Sequence, residues 1–257
     1  MKVRPGVEVA GLTDIGCNRQ NNEDNYAYWE PTDDAAFQQL GRLAIIADGM
    51  GGAEGGQYAS RMAVDAVIGT YSASGGDDPQ QRLVSAVHEA NARVQQEARA
   101  KPSLHGMGTT LTVCAIVSGN LYFAHVGDSR LFLIRNGAAR QLTRDHSLVA
   151  RLVESGTIRP EEAETHPQKH VLTAAIGVGE DVQPDFPAEP VPLQPADIVL
   201  ICTDGLWGQM TAAEIAEIVS KNQPNDACKA LVKLAKDRGG PDNITVQILR
   251  LLNPTAC

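Results

Sequence analysis

The sequence lacks any apolar run long enough to cross a membrane, and no basic segment followed by an apolar stretch opens it. A spanning helix needs about 20 consecutive apolar residues, so we expect neither a transmembrane segment nor a signal peptide. The chain also lacks an excess of basic residues, since 22 lysines and arginines face 31 acidic residues and the formal net charge is −9. This balance argues against electrostatic binding to nucleic acid or to an anionic membrane.

The cysteines show no pairing pattern. There are five, an odd number without paired spacing: Cys17, Cys114, Cys202, Cys228 and Cys257. Disulfide frameworks and zinc sites have regular spacings, which are missing here. We therefore expect free structural thiols in a protein of the reducing cytoplasm.

Glycine signatures of nucleotide binding are missing as well. Residues 49–56 are rich in glycine but do not read G-x-G-x-x-G, and no Gly-Lys-Ser/Thr follows them. The phosphate cradles of nucleotide-binding folds need one of these arrangements. We therefore set nucleotide binding aside.

The composition that remains is typical of one soluble globular domain. The chain has 257 residues, 43% of them hydrophobic and 21% charged, and shows no internal repeat, linker or low-complexity tail. That length is sufficient for a single domain with a sizeable core.

The most informative stretch begins with the apolar residues 43–47, LAIIA. This run is too short for an isolated helix and predicts a buried strand. It ends on Asp48 and breaks at once into a turn that contains Gly49, Gly51 and Gly52. These glycines allow tight turning and close approach to a ligand. A carboxylate at such a strand end is well placed to hold a hard cation, although Asp also commonly begins turns.

The pattern of an apolar run ending at an acid recurs. Residues 121–126 lead to Asp128, and residues 198–202 lead to Asp204. Near the C-terminus the order reverses, because Asp242 precedes the apolar residues 244–249. If the strands are antiparallel neighbours, these acids and Asp48 converge at a common edge. Close carboxylates repel one another unless protonated or bridged by cations, and oxygen ligands favour Mg²⁺ or Mn²⁺ over Zn²⁺.

Periodicity predicts an α+β layered architecture. Strands are predicted at residues 7–12, 25–29, 43–47, 111–117, 121–126, 131–134, 198–202 and 244–249. Amphipathic helices are predicted at residues 57–71 and 80–100, followed by two C-terminal helices, the first with a capping box of Thr211 and Glu214. Residues 30–41 are expected to be a surface loop. Short connections at residues 118–120, 129–130 and 136–137 predict antiparallel hairpins.

Residues 146–185 depart from this pattern. They contain a short amphipathic segment, a glycine, an acidic turn opened by Pro160 and a polar run ending at His170. A long irregular insertion within a compact domain is usually functional or flexible.

Six short motifs occur in an order that characterises one enzyme family. They are DIG at 14–16 with Arg19 and NED at 22–24, DGMGG at 48–52, GMGTT at 106–110, GDSR at 127–130, DGLW at 204–207 and DNIT at 242–245. On these motifs the sequence resembles bacterial metal-dependent Ser/Thr protein phosphatases, the PPM family (type 2C). The resemblance covers nearly the whole chain, from about residue 11 to 249.

The resemblance implies an architecture. It is an α+β fold with two central antiparallel β-sheets sandwiched between helix pairs, in four layers αββα. It further implies one phosphatase domain over residues 1–257, with a mobile flap subdomain at about residues 146–185 beside the active site.

The resemblance also implies a metal core. Asp48 would bridge two ions, and the Gly49 carbonyl would ligate one of them. Asp204 and Asp242 would hold the other ion. Glu23 would contact the site through water.

Three further roles follow from the resemblance. Asp24 would lie next to the metal ligands without binding a metal itself. Asp128 would form a third metal position with Asp204. Arg19 would bind phosphate, because a guanidinium matches phosphate oxygens bidentately. A surface ion pair for Arg19 and a turn cap for Asp128 remain alternatives.

The sequence departs from some family members at one position. Those members have a His directly after the Asp-Gly, proposed as the acid for the leaving alkoxide, where this chain has Met50. A soft thioether favours a packing role for Met50. A metal-bound water or a flap group such as His146 could act as the acid, and the sequence does not decide. His88 and His125 are expected to be structural, and His105 could be either.

The expected function is hydrolysis of phosphoserine and phosphothreonine on proteins, reversing Ser/Thr kinase signalling. Two Mn²⁺ or Mg²⁺ ions would hold a hydroxide whose pKa is lowered toward neutrality, with a third ion at Asp128 and Asp204. Expected partners are phosphoproteins, including a Ser/Thr kinase or its substrates, without nucleic acid or membrane, and the enzyme is expected to be a cytoplasmic monomer. The rival is a catalytically silent phosphopeptide-binding module, against which the full set of acidic ligands speaks.

Overall fold

Two antiparallel sheets form the centre of the computed structural model, which describes residues 3–51, 55–75, 78–179 and 181–252. The five-stranded sheet has the order β1 (Val7–Asp14), β11 (Ile244–Leu251), β10 (Ile198–Cys202), β7 (Arg130–Arg135) and β8 (Ala138–Gln141). The six-stranded sheet contains β2 (Asp24–Trp29), β3 (Arg42–Met50), β5 (Leu111–Val117), β6 (Asn120–Val126) and β9 (Val191–Pro192), with the short β4 (Gly108–Thr109) paired to β3.

Helix pairs cover the outer faces of the sheets. The first pair is α2 (Gly55–Ala73) and α3 (Pro79–Ala100), and the second is α7 (Ala212–Lys221) and α8 (Pro224–Asp237). Four shorter helices are α1 (Asp34–Leu40), α4 (Leu148–Glu154), α5 (Pro160–Glu164) and α6 (Asp204–Trp207). The predicted α+β fold of two antiparallel sheets between helix pairs is confirmed.

Three apolar clusters correspond to the contacts between layers. One joins α2 and α3 to the six-stranded sheet and includes the buried Tyr71 and Ile45. A second lies between the two sheets and includes Ile46 and Val199. The third joins α7 and α8 to the five-stranded sheet. Alternate residues of β3 thus face different clusters, which explains why its sequence is a continuous apolar run.

Most predicted elements are present, and the turn chemistry is as expected. Asn136 and Gly137 both have positive φ, of 53° and 77°, in the β7–β8 hairpin. Thr211 and Glu214 form the predicted reciprocal capping box of α7. Gly239 follows α8 with a φ of 115°.

The prediction of a surface loop at residues 30–41 is wrong, because α1 occupies most of it. Asp33 caps this helix by accepting a hydrogen bond from the Ala36 N–H at 2.8 Å. Only Leu40 of α1 is buried, so the segment carries too little apolar periodicity to predict a helix.

The hairpin predicted at residues 129–130 is also wrong. Strand β6 belongs to the six-stranded sheet, whereas β7 pairs with β10 in the five-stranded sheet. The connection crosses between the sheets, and Gly127 there has a φ of 112°. Asp128 therefore lies between the two sheets.

Strand β3 continues further than predicted. Instead of breaking at Asp48, it extends to Met50, and Gly49 pairs with Thr109 of β4. The positive φ of 123° comes only at Gly51. Gly52, part of the predicted turn, lies outside the described residues.

The insertion at residues 146–185 carries α4 and α5 and is joined to the sheets by isolated bridges. These are Thr109 with Ile176 and His125 with Asp185. Across the described residues, no helix is long and apolar enough to cross a membrane.

Four cysteines fall within the described ranges, and all are free thiols. Cys114, Cys202 and Cys228 are buried as expected for structural thiols, whereas Cys17 is exposed. Cys257 lies outside the described residues.

Candidate functional site

The acidic residues lie at one edge where the two sheets meet. Pairing of β2 with β3 places Asp24 opposite Asp48 in the six-stranded sheet. From the five-stranded sheet, Asp204 follows β10 at the start of α6, and Asp242 lies two residues before the start of β11. The predicted convergence therefore uses the ends of strands from both sheets.

Two threonine hydroxyls join Asp24 to the opposite sheet. Thr203 Oγ1 and Thr245 Oγ1 donate to Asp24 Oδ2 at 3.0 and 2.5 Å. The other carboxylate oxygen, Oδ1, is buried and has no hydrogen-bond partner among the described residues. Burial raises the pKa of Asp24 to about 7, although the two threonine hydrogen bonds oppose this shift.

The carboxyl group of Asp48 is influenced by the other acids of this edge. Burial raises its pKa well above the ordinary value, and the nearby charges of Asp24, Asp204, Asp128 and Asp242 raise it further. Four other carboxylates thus act on one group, which is the arrangement that a bound cation relieves.

The backbone of Asp48 is held independently of its carboxylate. Its carbonyl accepts from the Thr110 N–H and the Thr109 hydroxyl, both at 2.8 Å. Its N–H donates to Thr110 Oγ1 at 3.0 Å, and that oxygen also lies 2.9 Å from Ser129 Oγ. The GMGTT motif therefore fixes the strand end and joins it to the crossing loop.

Gly49 is required by close packing. Its N–H donates to the Glu23 carbonyl at 3.2 Å. A Cβ at this position would lie only 2.2 Å from the Gly56 carbonyl oxygen, and a Cβ on Gly56 would lie 2.1 Å from Glu23 Oε2. Burial raises the pKa of Glu23. The glycines let the loop that carries Glu23 approach the start of α2.

Asp128 and Asp204 face each other from different elements. Burial raises the pKa of Asp128 to about 7, with the Asp204 charge as the next cause. The Asp128 carbonyl accepts from Trp207 Nε1 at 2.9 Å, and the guanidinium of Arg130 lies 3.5 Å from the centroid of the Trp207 rings. Asp204 Oδ1 is buried without a hydrogen-bond partner among the described residues.

Arg19 lies at the rim and pairs with Asp242. Its Nη2 donates to Asp242 Oδ2 at 2.6 Å, and the two side chains are 54% and 30% exposed. This hydrogen bond raises the pKa of Arg19. The guanidinium has five donors, and one of them is used for Asp242 within the described part of the chain, so others can bind an anion.

The oxygen donors fit a hard divalent cation. The fit rests on the unpartnered buried oxygens of Asp24 and Asp204 and on the mutual repulsion at Asp48. No three His, Cys, Asp or Glu side chains in the described part of the chain are grouped so that they could hold a metal ion. Mg²⁺ is usually bound through one or two carboxylates and several waters, so a cation at this edge would complete its coordination with water.

The chain matches the family described as Protein phosphatase 2C over residues 18–236. The chain belongs to this family. Protein phosphatase PhpP of Streptococcus pneumoniae is 39% identical over an alignment of 255 residues that covers 95% of this chain and 98% of that protein. The resemblance inferred from the motifs is therefore confirmed.

Solved structures agree with this assignment to protein phosphatase 2C. A serine/threonine phosphatase of Streptococcus agalactiae has a TM-score of 0.87 and 35% identity, covering 96% of this chain and 100% of that one. The catalytic domain of the phosphatase PstP in complex with 2 manganese ions has a TM-score of 0.83 and 31% identity, covering 96% and 99%.

Sequence reasoning about this phosphatase 2C chain did not assign a role to Asn243. Its Oδ1 accepts from the Glu23 N–H at 2.8 Å, and its Nδ2 donates to the Ile15 and Asn21 carbonyls at 3.0 and 2.9 Å. Asn243 thus holds the loop that presents Arg19 and Glu23. The sequence feature that could have indicated this role is the position of Asn243 directly after Asp242 in the DNIT motif.

Three histidines bear on the acid and structural roles that the sequence left open or predicted. His146, considered as an acid, accepts from the Gly127 N–H through Nδ1 at 3.3 Å, and its Nε2 lies 3.2 Å from Asp185 Oδ2. His125 is buried, and burial lowers its pKa to about 3, which agrees with a structural role. The histidine that reaches Asp204 is His170, with Nδ1 3.7 Å from Oδ2.

Proposed function

We propose that this chain removes phosphate from phosphoserine and phosphothreonine of proteins, with Mn²⁺ or Mg²⁺ as cofactor. The observation that carries the proposal is the convergence of four carboxylates on Asp48 in a chain of the protein phosphatase 2C family. Oxygen ligands of this kind select hard cations, and hard cations suit phosphoryl chemistry.

The core ligands would be Asp48, the Gly49 carbonyl, Asp204 and Asp242, with Glu23 reaching the site through water. Two cations bound there supply a nucleophile for phosphorus by lowering the pKa of water. The chain itself holds Asp48 by its backbone and leaves its carboxylate free of protein hydrogen bonds among the described residues. The buried Asp204 Oδ1, which has no hydrogen-bond partner among the described residues, supports this assignment.

Asp24 would keep the two sheets in register behind these ligands. Its Oδ2 accepts from Thr203 and Thr245, so it is held in place by hydroxyls of the opposite sheet. Asp128 with Asp204 would form a third, weaker cation position, supported by the pKa of Asp128, which burial and then the charge of Asp204 raise.

Arg19 would bind the phosphate of the substrate. It is more than half exposed at the rim and uses one donor for Asp242, so the rest of its planar fork can meet phosphate oxygens. Arg19 would therefore hold the phosphate of the substrate beside Asp242.

We further propose one phosphatase domain in which residues 146–185 form a flap over the site. His170, within this segment, lies beside Asp204. The substrates would be phosphoproteins, including a Ser/Thr kinase or its targets, and the enzyme would act as a monomer in the cytoplasm. Free thiols at the four described cysteines support a reducing compartment.

The test is phosphate release from a phosphothreonine peptide, measured with EDTA and then with added Mg²⁺ or Mn²⁺. We expect no turnover in EDTA and recovery with either ion. Asp65→Asn removes one exposed acid of α2, outside the site. It serves as the control for loss of a negative charge and should show the same dependence on the ions as wild type. Peptide binding without release under Mn²⁺ would support the silent binding module instead.

A further inference from the structure

A groove of about 390 Å³ lies on the edge of the six-stranded sheet. The apolar part of its lining includes Phe123 of β6, Leu142 and Phe186. Phe123 is almost fully buried, whereas Phe186 leaves 51% of its surface exposed. An exposed phenylalanine beside an apolar floor is typical of a site that receives another apolar side chain.

The groove is built by the backbone. Residues 185 and 191 both pair with β6: Asp185 lies opposite His125, and Val191 lies opposite Leu121. The chain between these two points, FPAEP at 186–190, leaves the strand and arches over its edge. Its two prolines cannot donate to a sheet ladder, so the arch cannot close onto β6 as a regular strand.

The charges on its walls are mainly positive. Arg140 is exposed, and its side chain has no hydrogen bond or ion pair with any of the residues that the structure describes. Arg144 Nη2 lies 3.3 Å from Asp185 Oδ2, so the carboxylate found among the described lining residues is already paired. In a chain of net charge −9, an unpaired guanidinium beside an apolar floor favours a carboxylate ligand.

We propose that this groove docks an acidic segment of the protein substrate, in which a carboxylate neighbours a large apolar side chain. The carboxylate pairs with Arg140, and the apolar side chain packs on Phe123 and Phe186. This inference rests on the proposed phosphatase function, because it assigns the groove to the substrate of that reaction.

The distance to the candidate active site sets the length of the substrate. Phe123 and Asp128 are five positions apart in sequence, so they are at most about 17 Å apart. An extended peptide covers this distance with about five residues. A spacing of about five residues therefore suffices, whereas a single residue, which covers roughly 3.5 Å, falls short of the roughly 10 Å that separates Phe123 from Val126 at the end of β6.

Binding is tested without turnover. The probe is a short fluorescein-labelled peptide without phosphate that carries Glu-Phe-Glu among glycines and serines, followed by fluorescence anisotropy. Arg140→Gln and Phe186→Ser should each weaken binding on the order of tenfold, as expected for loss of a charge-assisted or a buried apolar contact. The exposed controls Arg61→Gln and Leu252→Ser should bind as wild type.

The peptide offers its own controls. Replacing the glutamates of the peptide by glutamine should weaken its binding to the wild-type protein. The same replacement should hardly change the affinity for Arg140→Gln, because this variant has already lost the guanidinium that pairs with the glutamates. Binding of the peptide that is unaffected by both groove variants, or no saturable binding at all, would overturn the groove assignment.

Turnover then connects the groove to the substrate. Phosphothreonine peptides carry the same segment after a linker of roughly one or about eight residues. The longer linker should raise kcat/KM about tenfold over a peptide without the segment, chiefly through KM, and Arg140→Gln should remove this gain. The shorter linker should give none. Normal turnover with no gain from the long linker refutes the docking groove alone, whereas absence of turnover on every peptide refutes the phosphatase function.

Discussion

Replacement of Arg19 by alanine separates phosphate binding from a mere surface ion pair. In the structure Arg19 donates to Asp242 at 2.6 Å, and more than half of its side chain is exposed. Exposed ion pairs contribute only about 0–1 kcal/mol, so folding should hardly change. A charge-assisted hydrogen bond to phosphate is stronger, about 1.5–3 kcal/mol. That loss corresponds to a fall in kcat/KM of roughly 10- to 150-fold.

The assay is hydrolysis of p-nitrophenyl phosphate under saturating Mn²⁺, with Mn²⁺ affinity measured by calorimetry on the same samples. KM should carry most of the loss if Arg19 holds phosphate similarly in the ground and transition states. Arg19→Lys should recover part of it, because lysine keeps the charge but lacks the planar fork. Arg99→Ala, an exposed arginine of α3, is the control.

Two results would refute this reasoning about Arg19. Unchanged kinetics on the aryl phosphate would leave Arg19 as a surface ion pair. A loss of Mn²⁺ affinity large enough to account for the kinetic loss would show that Arg19 acts through Asp242 and the cation and not on phosphate.

The remaining predictions concern the acids of the site and one helix cap. Asp204→Asn should abolish turnover while the fold survives in circular dichroism, because relief of carboxylate repulsion offsets the lost cation; retention of more than about a tenth of the activity would contradict it. Asp128→Ala should lose far more activity on a phosphothreonine peptide than on p-nitrophenyl phosphate, since the alkoxide is the poorer leaving group; equal losses would indicate a structural role only. The hydrogen bond with Arg238 lowers the pKa of Glu214 to about 2. Glu214 therefore contributes stability that is present above about pH 4.5 and is lost as the pH falls toward 2. The Tm difference between wild type and Glu214→Gln should therefore shrink over that window.

The layers of this fold were predictable from local patterns. The apolar run of β3, the amphipathic helix α3 and the Asn-Gly turn each have a direct physical signature in the sequence. The short α1 was missed because it buries a single residue. The crossing from β6 to β7 was missed because a three-residue connection looks like a hairpin, and the true partner of β7 is the distant β10.

The site was predictable in its acids but less so in what holds them. Motif positions indicated Asp48, Asp204 and Asp242, since acids at strand ends meet when the strands pair. The hydroxyl partners of Asp24 lie 179 and 221 positions away in sequence, so no local pattern could assign them. The choice between His146 and His170 beside the acids likewise depends on tertiary contacts.

Calorimetric titration of Mn²⁺ into wild type and Asp48→Asn, with phosphate release measured on the same samples, tests the central claim most directly. Asp48 receives the charges of four other carboxylates, so its loss should remove the shared ligand of the metal core. For wild type we expect at least two bound ions per chain and full turnover. For Asp48→Asn we expect loss of both the Mn²⁺ binding and the turnover. Equal Mn²⁺ binding and undiminished turnover in the variant would contradict the account.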